Sequence, residues 1–94
     1  MNKNEVIDRL INIADTAKYG LPIGFTTIFC KQKGKNFFVE ISHNGDMNHT
    51  IKNIDKNLLL AKLCTISEFK EIGKVISEDG NPDYLYILTL VIEL

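Results

Sequence analysis

The segment ISHNGDMNHT, Ile41 to Thr50, holds both histidines of the chain, His43 and His49, with Asp46 between them. Asn44-Gly45 is a strong hairpin signal, because both residues accept the positive φ that a type I′ turn requires. Read as a hairpin, the segment joins a strand over 35–43 to a strand over 46–53. His43 then pairs with Asp46, Glu40 with His49 and Val39 with Thr50. In that register the two histidines point to opposite faces of the sheet, so they do not converge as metal ligands must. Both are read as polar groups of an exposed hairpin.

Upstream, GFTTIFCKQKGKN is rich in β-branched and aromatic residues and is cut at Lys33-Gly34. This predicts a further strand over 24–32. A two-residue loop at Lys33-Gly34 pairs Cys30 with Phe37, Ile28 with Val39 and Thr26 with Ile41. One face of the meander then collects Ile28, Cys30, Phe37, Val39 and Ile41. The other collects Phe25, Phe29, Phe38, Met47 and Ile51. The strand over 35–43 is expected at the centre of the sheet, with layers on both sides or a partner on one.

The flanking segments supply helices and a second hairpin. Val6, Leu10, Ile13, Ala14 and Ala17 recur at helical spacing behind Asn4, which predicts a helix over 4–19 that Gly20 and Pro22 end. Asp55 with the leucines at 58–60 and Leu63 predicts a short helix over 55–64. The stretch TISEFKEIGKVIS reads two ways. Thr65 and Glu68 fit a capping box, whereas Gly73 is a poor interior helix residue. A strand over 69–77 entering an EDGNPD turn is favoured. DYLYILTLVIEL, residues 83–94, reads as an interior strand buried on both faces.

The expectation is therefore one small α+β domain over 1–94. It has an N-terminal helix, an antiparallel three-stranded meander, a short helix, and a C-terminal β-hairpin (or helix plus strand) completing one mainly antiparallel sheet. The net charge of −1 gives no pull toward polyanions or membranes, and ten lysines stand against one arginine. That usage, with abundant Ile and Asn, fits a low-GC bacterial or phage coding sequence. The start lacks the apolar run of a secretory signal. The longest apolar run is too short to span a bilayer. A cytoplasmic protein with no membrane role is expected, with Cys30 and Cys64 as buried thiols.

No G-x-S-x-G, P-loop or G-x-G-x-x-G pattern occurs. The two cysteines have no zinc-ligand spacing, and EDGNPD lacks the ligand alternation of a calcium loop. Neither catalytic residues nor metal ligands nor a cofactor are therefore expected. Apolar residues on both sheet faces, with two modest helices to cover them, favour a non-enzymatic protein-binding module. An inhibitor or immunity-type accessory protein of a phage or mobile element is the kind expected. It would act by covering a partner surface or forming a homodimer through Phe25, Phe29, Phe38, Met47 and Ile51. The alternative is a small nucleic-acid-binding protein that uses Lys31, Lys33 and Lys35 at a hairpin tip.

Overall fold

The computed structural model describes residues 2–45, 50–81 and 84–94. Helix α1 (Lys3–Thr16) leads into strands β1 (Leu21–Ile23), β2 (Thr26–Lys33) and β3 (Asn36–Asn44). Helices α2 (Thr50–Leu60) and α3 (Ile66–Ile72) follow, then strands β4 (Lys74–Asn81) and β5 (Leu85–Glu93). The five strands form one antiparallel sheet in the order β1-β2-β3-β5-β4. The fold is α+β, with the N-terminal helix, the three-stranded meander, the short helix and the C-terminal hairpin in one sheet. The meander is drawn from residues 21–44, and β3 is the central strand.

Local chemistry explains each element. Asn2, rather than Asn4, caps α1, and its side chain accepts from the Glu5 N–H at 2.9 Å. Val6, Leu10 and Ile13 form the buried stripe of α1. The helix ends at Thr16 and not at residue 19, because Gly20 at φ +103° turns its N–H back onto the Ala17 carbonyl. Gly34, at φ +62°, opens the tight loop between β2 and β3. Lys33 therefore pairs with Asn36, Cys30 with Val39 and Ile28 with Ile41. The predicted pairing was displaced by two residues, which leaves the side chains of β2 and β3 on their predicted faces.

Residues 50–53 of the strand expected over 46–53 are helical instead. Residues 46–49 lie outside the described residues, and from Thr50 the chain is helical, with Thr50, Ile54 and Leu58 buried at helical spacing. The Asn44-Gly45 step ends β3 instead of reversing it. The Gly45 N–H bonds the Tyr84 carbonyl at the start of the C-terminal strand. The far edge of β3 is filled by β5, so Val39 pairs with Leu90 and not with Thr50. A nine-residue strand that buries Tyr86, Leu88, Leu90 and Ile92 outcompetes a polar local hairpin, at roughly 1.5–3 kcal/mol for each large side chain buried.

Leu63 donates to the Leu58 carbonyl and Lys62 to that of Leu59, which closes α2 in a Schellman motif. Lys62 holds the left-handed position at φ 58°, and Leu63 is buried beneath it. Asp55 does not cap α2. Its carboxylate accepts from the Ile66 N–H at 2.7 Å and so ties α2 to the start of α3. Residues 65–77 form both of the elements weighed for them. Thr65 and Glu68 make the capping box of α3, and the chain turns extended only at Gly73. The favoured strand over 69–77 thus begins five residues late, since Phe69 is a fully buried helical residue. Likewise Glu78 to Asn81, expected in a turn, continue β4.

The three described helices pack on one face of the sheet. Phe37, Val39, Ile41, Leu88, Leu90 and Ile92 meet Leu10, Ile54, Leu58 and Phe69 there, with at most 1% exposure each. Strand β5 is interior, as expected, but it is not buried on both faces. Ile87, Thr89 and Val91 alternate with its buried residues and are only half-buried.

Candidate functional site

Among the described residues no helix lies on the second sheet face. The pairing Phe29–Glu40–Thr89 runs across β2, β3 and β5 on that side, and so do Lys31–Phe38–Val91 and Thr27–Ser42–Ile87. Phe29 is 36% exposed, while Phe38, Ile87 and Val91 are half-buried by their own neighbours. Together they make an apolar band across three strands, broken by Glu40 and Thr89 and edged by Lys31. Lys74 lies opposite Val91 and Asp79 opposite Ile87, so charges of both signs border the band.

Of the residues proposed from sequence, Phe29 and Phe38 lie on this face. Phe25 does not share it. It sits in the β1–β2 turn at one end of the sheet, 75% exposed. Ile51 is a half-exposed residue of α2, away from the sheet strands, and Met47 lies outside the described residues. Ile87 and Val91 were missed because the near-continuous apolar run of β5 concealed its alternation. A Thr at position 89 was the one sign that this side meets water.

Lys31 and Lys33 project from the open face and Lys35 from the loop at its end. Glu40 and Glu93 share that face, which leaves the hairpin tip basic but not the face as a whole.

His43 is placed unlike the sequence expectation. It is 2% exposed and belongs to the covered face, between Thr26 of β2 and Tyr86 of β5. Its Nδ1 lies 2.7 Å from the Thr26 hydroxyl oxygen, which also accepts from the Asn57 amide at 2.8 Å. A buried polar chain thus ties α2 to β2 and β3, since a buried hydroxyl or imidazole requires partners. A cleft of about 370 Å³ lies above it, lined by Phe25, Asn44, Asn53 and Lys56 among others. Asp46, the residue expected to pair with His43, and His49 lie outside the described residues. Glu40, the expected partner of His49, pairs with Phe29 and Thr89.

Neither thiol is poised for chemistry. Burial pushes Cys30 up to about 12 and Cys64 to about 11, so both are protonated near neutrality. Cys30 lies four residues along β2 from the Thr26–His43 pair, roughly 13 Å at strand spacing, which is beyond proton-transfer reach. Among the described residues no group of three or more His, Cys, Asp or Glu side chains could hold a metal ion. Nor is any described helix long and apolar enough to cross a membrane.

Tyr86 and Glu78 form the other polar link. The Tyr86 hydroxyl donates to Glu78 Oε1 at 2.7 Å, and Lys70 of α3 meets the same oxygen at 2.8 Å. Burial and then the adjacent carboxylate push the Tyr86 phenol upward, while Lys70 and then Tyr86 hold Glu78 below its ordinary value. Gly80, opposite Tyr86, leaves room for the ring, which lies 3.2 Å from where a β-carbon would stand. These groups join α3 to the β4–β5 hairpin. Comparison with protein-family models, with curated proteins and with solved structures returns no match, so function is read from the residues themselves.

Proposed function

We propose that the protein is a non-enzymatic protein-binding module of the inhibitor or immunity type, which acts by covering a partner surface with the uncovered side of its sheet. The observation that carries this reading is the band of Phe29, Phe38, Ile87 and Val91 on a face that none of the described helices covers. A single exposed Phe is ordinary, but apolar residues on three adjacent strands, interspersed with polar groups and rimmed by charges, are the pattern of an interaction surface. The small size and the lysine-rich composition suit an accessory protein of a phage or mobile element. A cytoplasmic setting fits two buried thiols that are free.

The test is affinity capture from the source cell with the wild-type chain and with a Phe29→Ser/Phe38→Ser variant, read by quantitative mass spectrometry. A protein retained at moderate salt by the wild type and lost by the variant is the expected result. Light scattering on the same two samples reads the homodimer form of the proposal. Equal retention by both chains, or none by either with both monomeric, would overturn it.

A second reading has its own observation: Lys31 lies directly opposite Phe38 on the open face, with Phe29 beside them. Aromatic rings interleaved with lysines on an open sheet are the arrangement of a single-strand stacking platform. Retained nucleic acid that washes off steeply with salt would favour it.

A further inference from the structure

We propose that the free edge of β2, beside α1, is a strand-addition site for an extended acidic segment of the partner protein. This inference rests on the binding-module reading and names the partner's chemistry.

The hydrogen-bond phase of the sheet fixes which backbone groups are available. Asn44 donates to the Phe25 carbonyl at 3.1 Å, and Leu94 donates to the Lys35 carbonyl at 2.8 Å. Even-numbered residues of β3 therefore address β2, and odd-numbered ones address β5. Antiparallel pairs alternate strictly, so the odd residues of β2 address β3 and its even residues look away from it. Strand β1 takes up two of these, since Leu21 pairs with Ile28 and Ile23 with Thr26. It extends no further, because Gly20 has turned its N–H back to Ala17. Among the described residues no strand lies beside Cys30 and Gln32, whose N–H and C=O groups point outward.

The two edges of the sheet differ in how they meet this hazard. β4 is interrupted by a bulge between Val75 and Ser77 and carries Glu78 and Asp79, devices that discourage pairing. The β2 pairing runs unbroken from Thr26 to Lys33. A cleft of about 410 Å³ opens along it, floored by Ile11, Ala14 and Phe37, with Lys18 at the rim. A strand added here would turn alternate side chains into the cleft, as in groove-type strand addition. Its other side chains would lie beside Lys31 and Lys33 on the open face. With Lys18 these make three cations along the edge against Asp15, while Glu40 lies one strand further in, so the preferred strand alternates apolar and acidic residues.

The probe is an acetylated, amidated hexapeptide alternating valine and glutamate, compared with its valine–lysine counterpart. Binding is followed by amide NMR and hydrogen exchange. The expected result is saturable binding, roughly tenfold tighter for the glutamate peptide, with slowed exchange at the Cys30 and Gln32 amides. Gln32→Pro removes an N–H that β3 does not use, so the fold is retained and binding is lost. Should that variant unfold, Lys31→Glu/Lys33→Glu serves instead and is expected to reverse the peptide preference. No saturable binding, binding unaltered by these variants, or exchange unchanged at Cys30 and Gln32 would overturn the inference. Perturbation confined to Phe38 and Val91 would overturn it while leaving the binding-module reading in place. Failure of Phe29→Ser/Phe38→Ser to alter capture counts against that reading alone.

Discussion

The two faces of the sheet are built from alternate residues of the same strands, yet they follow different rules. At the centre of the covered face, apolar meets apolar: Phe37 with Ile92, Val39 with Leu90 and Cys30, Ile41 with Leu88 and Ile28. On the open face each apolar residue has a polar neighbour: Phe29 faces Glu40, Phe38 faces Lys31, and Ile87 faces Ser42. Uninterrupted pairing makes a core, and interrupted pairing makes a surface that tolerates water and accepts a partner. Adjacent phenylalanines give the sharpest contrast. Phe37→Ala is expected to cost about 3–5 kcal/mol, and Phe38→Ala a small fraction of that. Urea denaturation of the two variants decides it, and equal losses would abolish the distinction between the faces.

That contrast was legible in part. The alternation of Phe37, Phe38, Val39 and Ile41 placed each on its correct face although the pairing was off by two. Even displacements preserve faces, so periodicity constrains sidedness more strongly than register. The Asn44-Gly45 step misled because turn chemistry is local, whereas the neighbour of β3 is chosen by burial some forty residues away in the chain. His43 was misplaced with it. A histidine in a hairpin reads as exposed, and nothing local reveals that Thr26, itself bonded by Asn57, would meet it. The spacing of Thr50, Ile54 and Leu58 did carry the α2 signal, but the β-branched residues around it favoured a strand. Strand β5 was recognised as interior, yet its apolar run could not show that a single layer of helices covers only one side.

Gly73 tests how closely that layer fits. It marks the change from α3 to β4, and a β-carbon there would stand 2.8 Å from Leu90 Cδ1 and 3.1 Å from the Val91 carbonyl. Its backbone is extended, so the constraint is space and not φ. Gly73→Ala is expected to lose about 1–3 kcal/mol by pushing α3 off the covered face. A thermal midpoint equal to wild type would mean that the roof is looser than the close approach implies.

The polar chain at the other end of the core tests whether the covered face tolerates polarity only when it is satisfied. Thr26→Val conserves shape but takes a partner from both the Asn57 amide and His43 Nδ1. Leaving buried groups short of a bond is expected to cost about 1–3 kcal/mol. The matched change Thr27→Val, on the half-buried open side of the same strand, is expected to leave stability within about 0.5 kcal/mol of wild type. Equal effects at 26 and 27 would show that the polar chain contributes nothing specific.

Glu78 marks where the covering layer ends. Its register opposite Leu88 puts it on the covered side, yet it remains solvent-exposed on β4, where Lys70 reaches across from α3. Lys70 and then the Tyr86 hydroxyl favour the ionised carboxylate, so its folded-state value lies below its unfolded one. The unfolded chain then binds the proton more readily, and stability falls as pH drops through the carboxylate range. The contribution is fully present above the ordinary glutamate value and is lost below the folded one. Glu68 has the same sign, held down first by the Thr65 N–H and then by its hydroxyl. In Glu78→Gln the acid-side slope is therefore reduced but not abolished. Urea midpoints measured from neutral pH down through the carboxylate range should converge on wild type at the acid end. For so exposed a pair the difference at neutral pH is small, within about 1 kcal/mol. A larger one would mean that this ion pair, rather than the apolar roof, holds α3 to the hairpin.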